Sequence, residues 1–251
     1  MKFLVDQSHL GTPEDAWVRS NDLRSLPAIE LGRPRRVVVV APHPDDEVLG
    51  AGGVLQSFIA SGVPIEILAV TDGECSHPRA TAARIERLRD TRTSESELAL
   101  GRLGLIDPAI TRLGLPDGRV ADVEDRVREA LEGVGGDDLV LAPWWFDGHP
   151  DHDACGRAAW AAAAQGGARS VHFLVWAWHW ADPSGDDLPW ERCRRFDYDP
   201  SSRDRKCWSI EAFASQILPR GPDPGEEPVL PAAVLTRFMR NFEIFVEREM
   251  R

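Results

Sequence analysis

Apolar runs and helical periods alternate along most of this chain, and that alternation most constrains how it can fold. Strands are expected at about 36–41, 64–71, 110–113, 139–142 and 171–180. Helices are expected between them, at about 47–61, 79–103, 120–131 and 154–164. In the third of these, Val120, Val123, Val127, Ala130 and Leu131 recur with a 3.6-residue period. Strands separated by helices are joined by right-handed crossovers, so they lie parallel, with helices on both faces of the sheet. The expected class is α/β, a Rossmann-like, mostly parallel sheet in three layers. With 251 residues the chain suits one large domain over 1–251 and is too short for two comfortable ones. Residues 1–34 read as an irregular arm anchored by Trp17, and 36–190 as the core. Residues 191–251 read as an addition: a strand near 193–198, a helix near 202–217, a Pro/Gly-rich loop at 218–231 and a terminal helix at about 232–248.

The chemistry is concentrated at two strand ends. Val37-Val38-Val39-Val40 leads into Ala41-Pro42-His43-Pro44-Asp45-Asp46-Glu47, and Leu139-Val140-Leu141-Ala142 leads shortly to His149-Pro150-Asp151-His152. Ligands of open α/β sheets bind outside the carboxyl ends of the strands, where both clusters fall. Imidazoles mixed with carboxylates suit zinc or another divalent first-row metal, and acids this dense would repel one another without a cation. Helix capping accounts for one acid per helix, because acids and Pro favour a first turn. It does not account for four such residues in one turn and a second His-rich turn.

Charge and cysteines narrow the class further. A net charge of −12 argues against nucleic acid and anionic membranes as partners, since both select a basic face. No run of about 18 apolar residues is present to span a membrane. Cys75, Cys155, Cys193 and Cys207 show no C-x-x-C spacing and read as reduced thiols, which fits a cytoplasmic setting. Gly50-Ala51-Gly52-Gly53 echoes a dinucleotide fingerprint, but Asp45, Asp46 and Glu47 at the same helix start would repel a pyrophosphate. These glycines are expected to let the helix pack closely on the sheet.

P-H-P-D-D-E after the first strand and H-P-D-H after a later one together resemble the PIG-L / LmbE-like family of zinc-dependent deacetylases. Thr71-Asp72-Gly73-Glu74, Arg92-Thr93-Ser94-Glu95, Leu115-Pro116-Asp117-Gly118, Lys206 and Ser215-Gln216 extend the resemblance over about 36–217. It implies a metal-dependent hydrolase that removes an acetyl or other acyl group from the amine of an amino sugar or sugar conjugate. Two positions depart from the pattern: Asp147 stands where some relatives carry Tyr, and Phe213 where many carry His.

His43 and Asp46, three apart at a helix start, can face one point, and His152 would complete a three-ligand set with an open position. The resemblance implies the same set, holding Zn2+ or another divalent ion such as Fe2+, Mn2+ or Co2+. Asp45 is then the candidate general base. His149 is the candidate donor to the oxyanion or the leaving amine, and Asp151 the group that orients His149 or a ligand. Arg92, Asp117 and Lys206 resemble positions near the substrate. Trp176, Trp178 and Trp180 would share one face of the strand at 171–180, with Trp178 and Trp180 nearer the site and suited to stack on a sugar. His179 would point to the opposite face in a structural role, and His9, His77 and His172 receive none. The expected partner is a small-molecule N-acyl amino sugar or glycoconjugate, with a homo-oligomer open. Two other readings stay in view: a non-haem iron oxygenase using His43-Pro44-Asp45 and a distant His, and a sugar-binding module without catalysis.

Overall fold

The structure, a computed structural model, describes residues 10–77, 81–220 and 227–247. Seven strands form one sheet: β1 (Arg36–Ala41), β2 (Ile65–Ala69), β3 (Ala109–Arg112), β4 (Asp138–Pro143), β5 (Arg169–Phe173), β6 (Cys193–Asp197) and β7 (Phe242–Glu247). Their order is β3-β2-β1-β4-β5-β7-β6. The first five run parallel, and β7 pairs antiparallel with both β5 and β6.

The valine run of β1 shows why the sheet needs two helical layers. Side chains alternate across a strand, so Val37 and Val39 face one core while Val38 and Val40 face the other. On the first side lie α3 (Asp46–Ala60), α4 (Ala82–Leu103) and α8 (Pro200–Ile210). On the second lie α5 (Glu124–Ala130) and the alanine-rich α6 (Pro150–Gly166). The glycines of α3 do permit close packing. A Cβ on Gly50 would collide with the Phe173 ring of β5, and one on Gly53 with the Tyr198 ring.

Four expectations are corrected. The arm before β1 is not wholly irregular: α1 (Glu14–Arg19) and α2 (Asn21–Ser25) lie in it, and Trp17 is fully buried with its N–H donating to the Trp178 carbonyl at 3.1 Å. The strand expected to reach 180 ends at Phe173, and Ala177–Trp180 forms a short helix, α7. The alternating tryptophans gave a strand period, but the Asp147 carboxylate captures the backbone N–H groups of Val175, Trp176 and Ala177 at 2.9–3.0 Å. One buried carboxylate gathering three successive amides turns the chain. The terminal helix expected at 232–248 is also wrong. Only Ala232–Leu235 is helical (α10), with a 3-10 turn at Thr236–Phe238, and Phe242–Glu247 enters the sheet as β7. A strand there gives β5 and β6 a common partner, a tertiary gain outside the local pattern. The helix expected near 202–217 divides into α8 and α9 (Ala214–Ile217). Residues 221–226 of the Pro/Gly-rich loop and His9 lie outside the described residues.

Candidate metal centre

The chain leaves β1 toward β2 on one side and β4 toward β5 on the other, so the sheet order reverses between β1 and β4. A crevice opens at such a point above the carboxyl ends of the strands. The turn after β1 delivers His43, Asp45 and Asp46; the segment after β4 delivers Asp147, His149, Asp151 and His152. The turn after β3 adds Asp117. His43, Asp45, Asp46, Asp117 and His149 line a cavity of about 310 Å³, which Arg92, Trp176 and Gln216 also border.

Three donor atoms converge. His43 Nδ1 lies 3.2 Å from His152 Nε2 and 3.2 Å from Asp46 Oδ2, and His152 Nε2 lies 3.1 Å from the same oxygen. Donors held about 2.1 Å from a tetrahedral zinc stand about 3.4 Å apart, so this spacing suits a small divalent cation. The tautomers follow from the outer partners. His152 Nδ1 meets Asp147 Oδ2 at 2.8 Å, and His43 Nε2 meets both Asp117 Oδ1 and Asp151 Oδ2 at 3.2 Å. With each outer nitrogen donating to a carboxylate, the inner nitrogen of each ring, once neutral, holds a lone pair aimed at one point. Carboxylates that orient ligating imidazoles in this way are a regular feature of metal sites. Two further constellations, His43/His149/His152 and His43/Asp117/Asp151, also bring ligand atoms within 4.8 Å of one another.

Electrostatics point the same way. Burial by itself would lower His152, but Asp46 and Asp147 outweigh it and hold the imidazole up to about 9. Burial likewise opposes the charge on His43, and Asp117, Asp151 and Asp46 raise it well above its ordinary value. Burial would raise Asp46, yet His152 and His43 drive it far below the usual carboxylate range. The cluster therefore favours positive charge where the three donors meet. Asp45 behaves oppositely: burial pushes it up to about 7, with Arg92 restraining the rise. His149 is pushed down to about 3 by burial, then by His43 and His152.

Asp45 sits at φ 148°, a backbone conformation rare for a non-glycine residue. Its neighbours hold it there. Glu47 Oε2 accepts its N–H at 3.1 Å, and Arg92 donates to Asp45 Oδ2 at 3.0 Å and to the Pro44 carbonyl at 2.9 Å. His149 is the N-cap of α6: its Nδ1 accepts the Asp151 N–H at 3.2 Å, so its other nitrogen carries the proton. Asp151 accepts from Gly118 and Val120 amides, which ties the β3 turn to α6.

Of the residues singled out in the sequence, His43, Asp45, Asp46, His149, Asp151, His152, Arg92 and Asp117 come together here. Lys206 and Trp178 do not. Lys206 is 1 % exposed and pairs with Glu243 at 2.7 Å while donating to the Leu49 carbonyl, so it neutralises a buried carboxylate behind α3. Trp178 is buried edge-on to Trp17 and beneath Arg240. With the strand replaced by α7, Trp176 is the tryptophan that faces the cavity, its ring 6.2 Å from that of His149. His179 is buried beside Arg237, and His77 meets the Ser215 carbonyl at 3.1 Å.

Sequence reasoning misses three buried acids. Asp147 stands out in the sequence only as a departure, yet it orients His152. Glu47 holds the Asp45 turn and accepts from Ser96. Glu95 accepts from the Ser215 N–H and hydroxyl, which sets Gln216 at the cavity. An acid's burial has no local signature, and only the position of Asp147 five residues before His152 offers a hint.

Comparison with known proteins agrees with this geometry. A family described as "PIG-L: GlcNAc-PI de-N-acetylase" matches residues 38–163, half of the chain. A probable N-acetyl-alpha-D-glucosaminyl L-malate deacetylase 2 of Bacillus cereus is 30% identical over 52% of this chain and 62% of its own length. Diacetylchitobiose deacetylase of Thermococcus kodakarensis is 26% identical over 49% of this chain and 46% of its own. The chain thus spans roughly half to three fifths of the curated relatives it matches. Among solved structures, a conserved protein of Thermus thermophilus aligns with a TM-score of 0.58 at 27% identity, covering 86% of this chain and 95% of that one. The family match spans both strand-end turns that build the site, and on it the chain belongs to the PIG-L family.

Proposed function

We propose that the chain is a metal-dependent hydrolase that removes an N-acetyl group from an amino sugar or sugar conjugate. The convergence of His43, Asp46 and His152 at 3.1–3.2 Å, with the buried Asp45 carboxylate lining the same cavity, carries this reading. The relatives named above act on N-acetylated glucosamine compounds. These three residues would hold the metal, most simply zinc, which when bound acidifies water and polarises an amide carbonyl.

The chain's own groups supply the rest. Asp45, aimed by Arg92, takes the proton of the attacking water and returns it to the departing amine. His149 is neutral, with one nitrogen occupied by the Asp151 N–H; its remaining N–H donates to the oxyanion. Trp176 and Gln216 border the cavity that would take the sugar, and the free cysteines fit a reducing compartment. The iron oxygenase reading is not favoured: its usual scaffold is an all-β jelly roll, whereas this is an α/β fold with a mostly parallel sheet. No helix among the described residues is long and apolar enough to cross a membrane.

Purified protein loaded with zinc, cobalt or manganese, incubated with N-acetylglucosaminyl glycosides, should release acetate and free amine in equal amounts. Binding of these sugars without any acetate release under every metal would overturn the reading in favour of a non-catalytic sugar-binding module.

A further inference from the structure

Beside the metal cavity lies a larger chamber of about 1240 Å³; the two share Gly118 and meet across the turn that carries His149. The smaller one accommodates little more than a single sugar, so a conjugate must extend elsewhere. The wall of the chamber is aromatic: Trp144, Phe146, Trp180 and Trp190 line it, with the Trp144 and Trp180 rings stacked at 6.4 Å. Flat rings of this kind fit the apolar face of a pyranose or cyclitol. Phe146 is 63 % exposed although its ring meets Trp144 and Trp145 edge to face, so much of its surface is left open. The Trp144 indole N–H is buried and finds no acceptor, while those of Trp180 and Trp190 donate to the carbonyls of Asp147 and Gly185.

The charged lining is mostly acidic. Asp122, Asp153, Asp186, Asp187 and Glu191 border the chamber against the single guanidinium of Arg119, which already pairs with Asp122 at 2.9 Å. Arg192 approaches Glu191 at 3.4 Å, and Asp153 and Asp187 accept backbone amides, but none of these contacts reverses the balance. Carboxylates gathered around a cleft raise the local concentration of cations and repel anions, an effect that salt screens.

We propose that this chamber is the subsite for the remainder of the substrate, and that it selects a partner sugar or aminocyclitol carrying protonated amines. The proposal rests on the deacetylase reading above and deepens it. An anionic aglycone would meet five carboxylates. A neutral one would use the aromatic wall alone.

Two disaccharides that differ only by one acetyl group separate these cases: N-acetylglucosaminyl-glucosamine, with one free amine, and N,N′-diacetylchitobiose, with none. The amine-bearing probe should show kcat/KM higher by about fivefold to tenfold at low ionic strength, with the gap closing as salt is added. In the Asp186→Asn/Glu191→Gln variant the ratio between the two probes should fall toward one. Binding of the fully deacetylated glucosamine disaccharide, followed by tryptophan fluorescence, needs no hydrolysis and should weaken in the same variant. Equal kcat/KM for both probes, or a ratio unchanged in the variant, would overturn the chamber's assignment while leaving the deacetylase reading intact. Variant-sensitive binding of the diamine with no hydrolysis of either probe would uphold the chamber as an amine-binding subsite and sink the deacetylase reading instead.

Discussion

The two turns that converge on the metal position are built in opposite ways. The turn after β1 takes its backbone support largely from within, although Arg92 braces Asp45 and Pro44 and Asp117 and Asp151 meet the His43 ring from farther along the chain. Asp46 accepts the His43 N–H from three residues away, and Glu47 accepts the Asp45 N–H from two. The segment after β4 is held from a distance: Asp147 reaches amides 28 to 30 residues downstream while it grips His152. The first brings two of the proposed ligands, His43 and Asp46, and the second brings His152. One half of the site is therefore written into a hexapeptide, and the other exists only once β4, β5 and α7 have docked. The local turn also carries strain at Asp45, of a kind that costs about 1–3 kcal/mol and persists only where the surroundings over-determine it. The distant one carries none of that strain and depends on a single buried carboxylate.

The largest effect should come from removing a ligand outright. His152→Ala should lose its metal, and acetate release should fall below detection, as elemental analysis and amine assay can show together. Metal content equal to that of the unaltered protein would exclude His152 from the ligand set. Next comes the local turn's own chemistry. Asp45→Asn should keep the metal and lower kcat by about 10²–10⁴-fold, because the amide keeps the shape and cannot take a proton. Full activity in that variant would move the base to another group, with His149 the nearest candidate.

Asp147→Asn tests the distant half. The new amide NH2 would face donors that the carboxylate now accepts, either the Trp176 N–H and the imidazole of His152 or, if flipped, the amides of Val175 and Ala177. Metal affinity should drop about 10–100-fold by the usual effect of losing an orienting carboxylate. Denaturant unfolding should show a loss of about 1–3 kcal/mol for each donor left stranded. Glu47→Gln, the matching change in the local turn, should do least: metal retained and stability lowered by about 1 kcal/mol, since one carbonyl oxygen can still accept. If Glu47→Gln lost as much metal as Asp147→Asn, the contrast between a local and a borrowed half would collapse.

The same contrast explains how far the sequence could be read. The five parallel strands and the position of the site at their carboxyl ends were visible because apolar runs, helical periods and crossover handedness act over short stretches. His43, Asp46 and His152 were visible because each stands in a dense motif at a strand end. The tryptophans misled because their spacing satisfied a strand period, and nothing near them in sequence announced that Asp147 would take the amides of 175–177. Lys206 misled for a related reason, since a lysine on a helix shows no sign of the buried Glu243 that claims it from 37 residues away.

By itself the sequence determined the sheet's parallel core, the two motif-bearing turns and a chemistry of imidazoles and carboxylates suited to a divalent cation. These follow from periodicities and spacings that a few adjacent residues enforce. The tertiary structure alone decided that Phe242–Glu247 would be a strand and that Trp176 rather than Trp178 would face the site. It also decided that Asp147 would aim His152 and that a second, acidic chamber would open beside the first. Each of those outcomes depends on which buried donor finds which acceptor, and those partners lie far apart along the chain until it has folded.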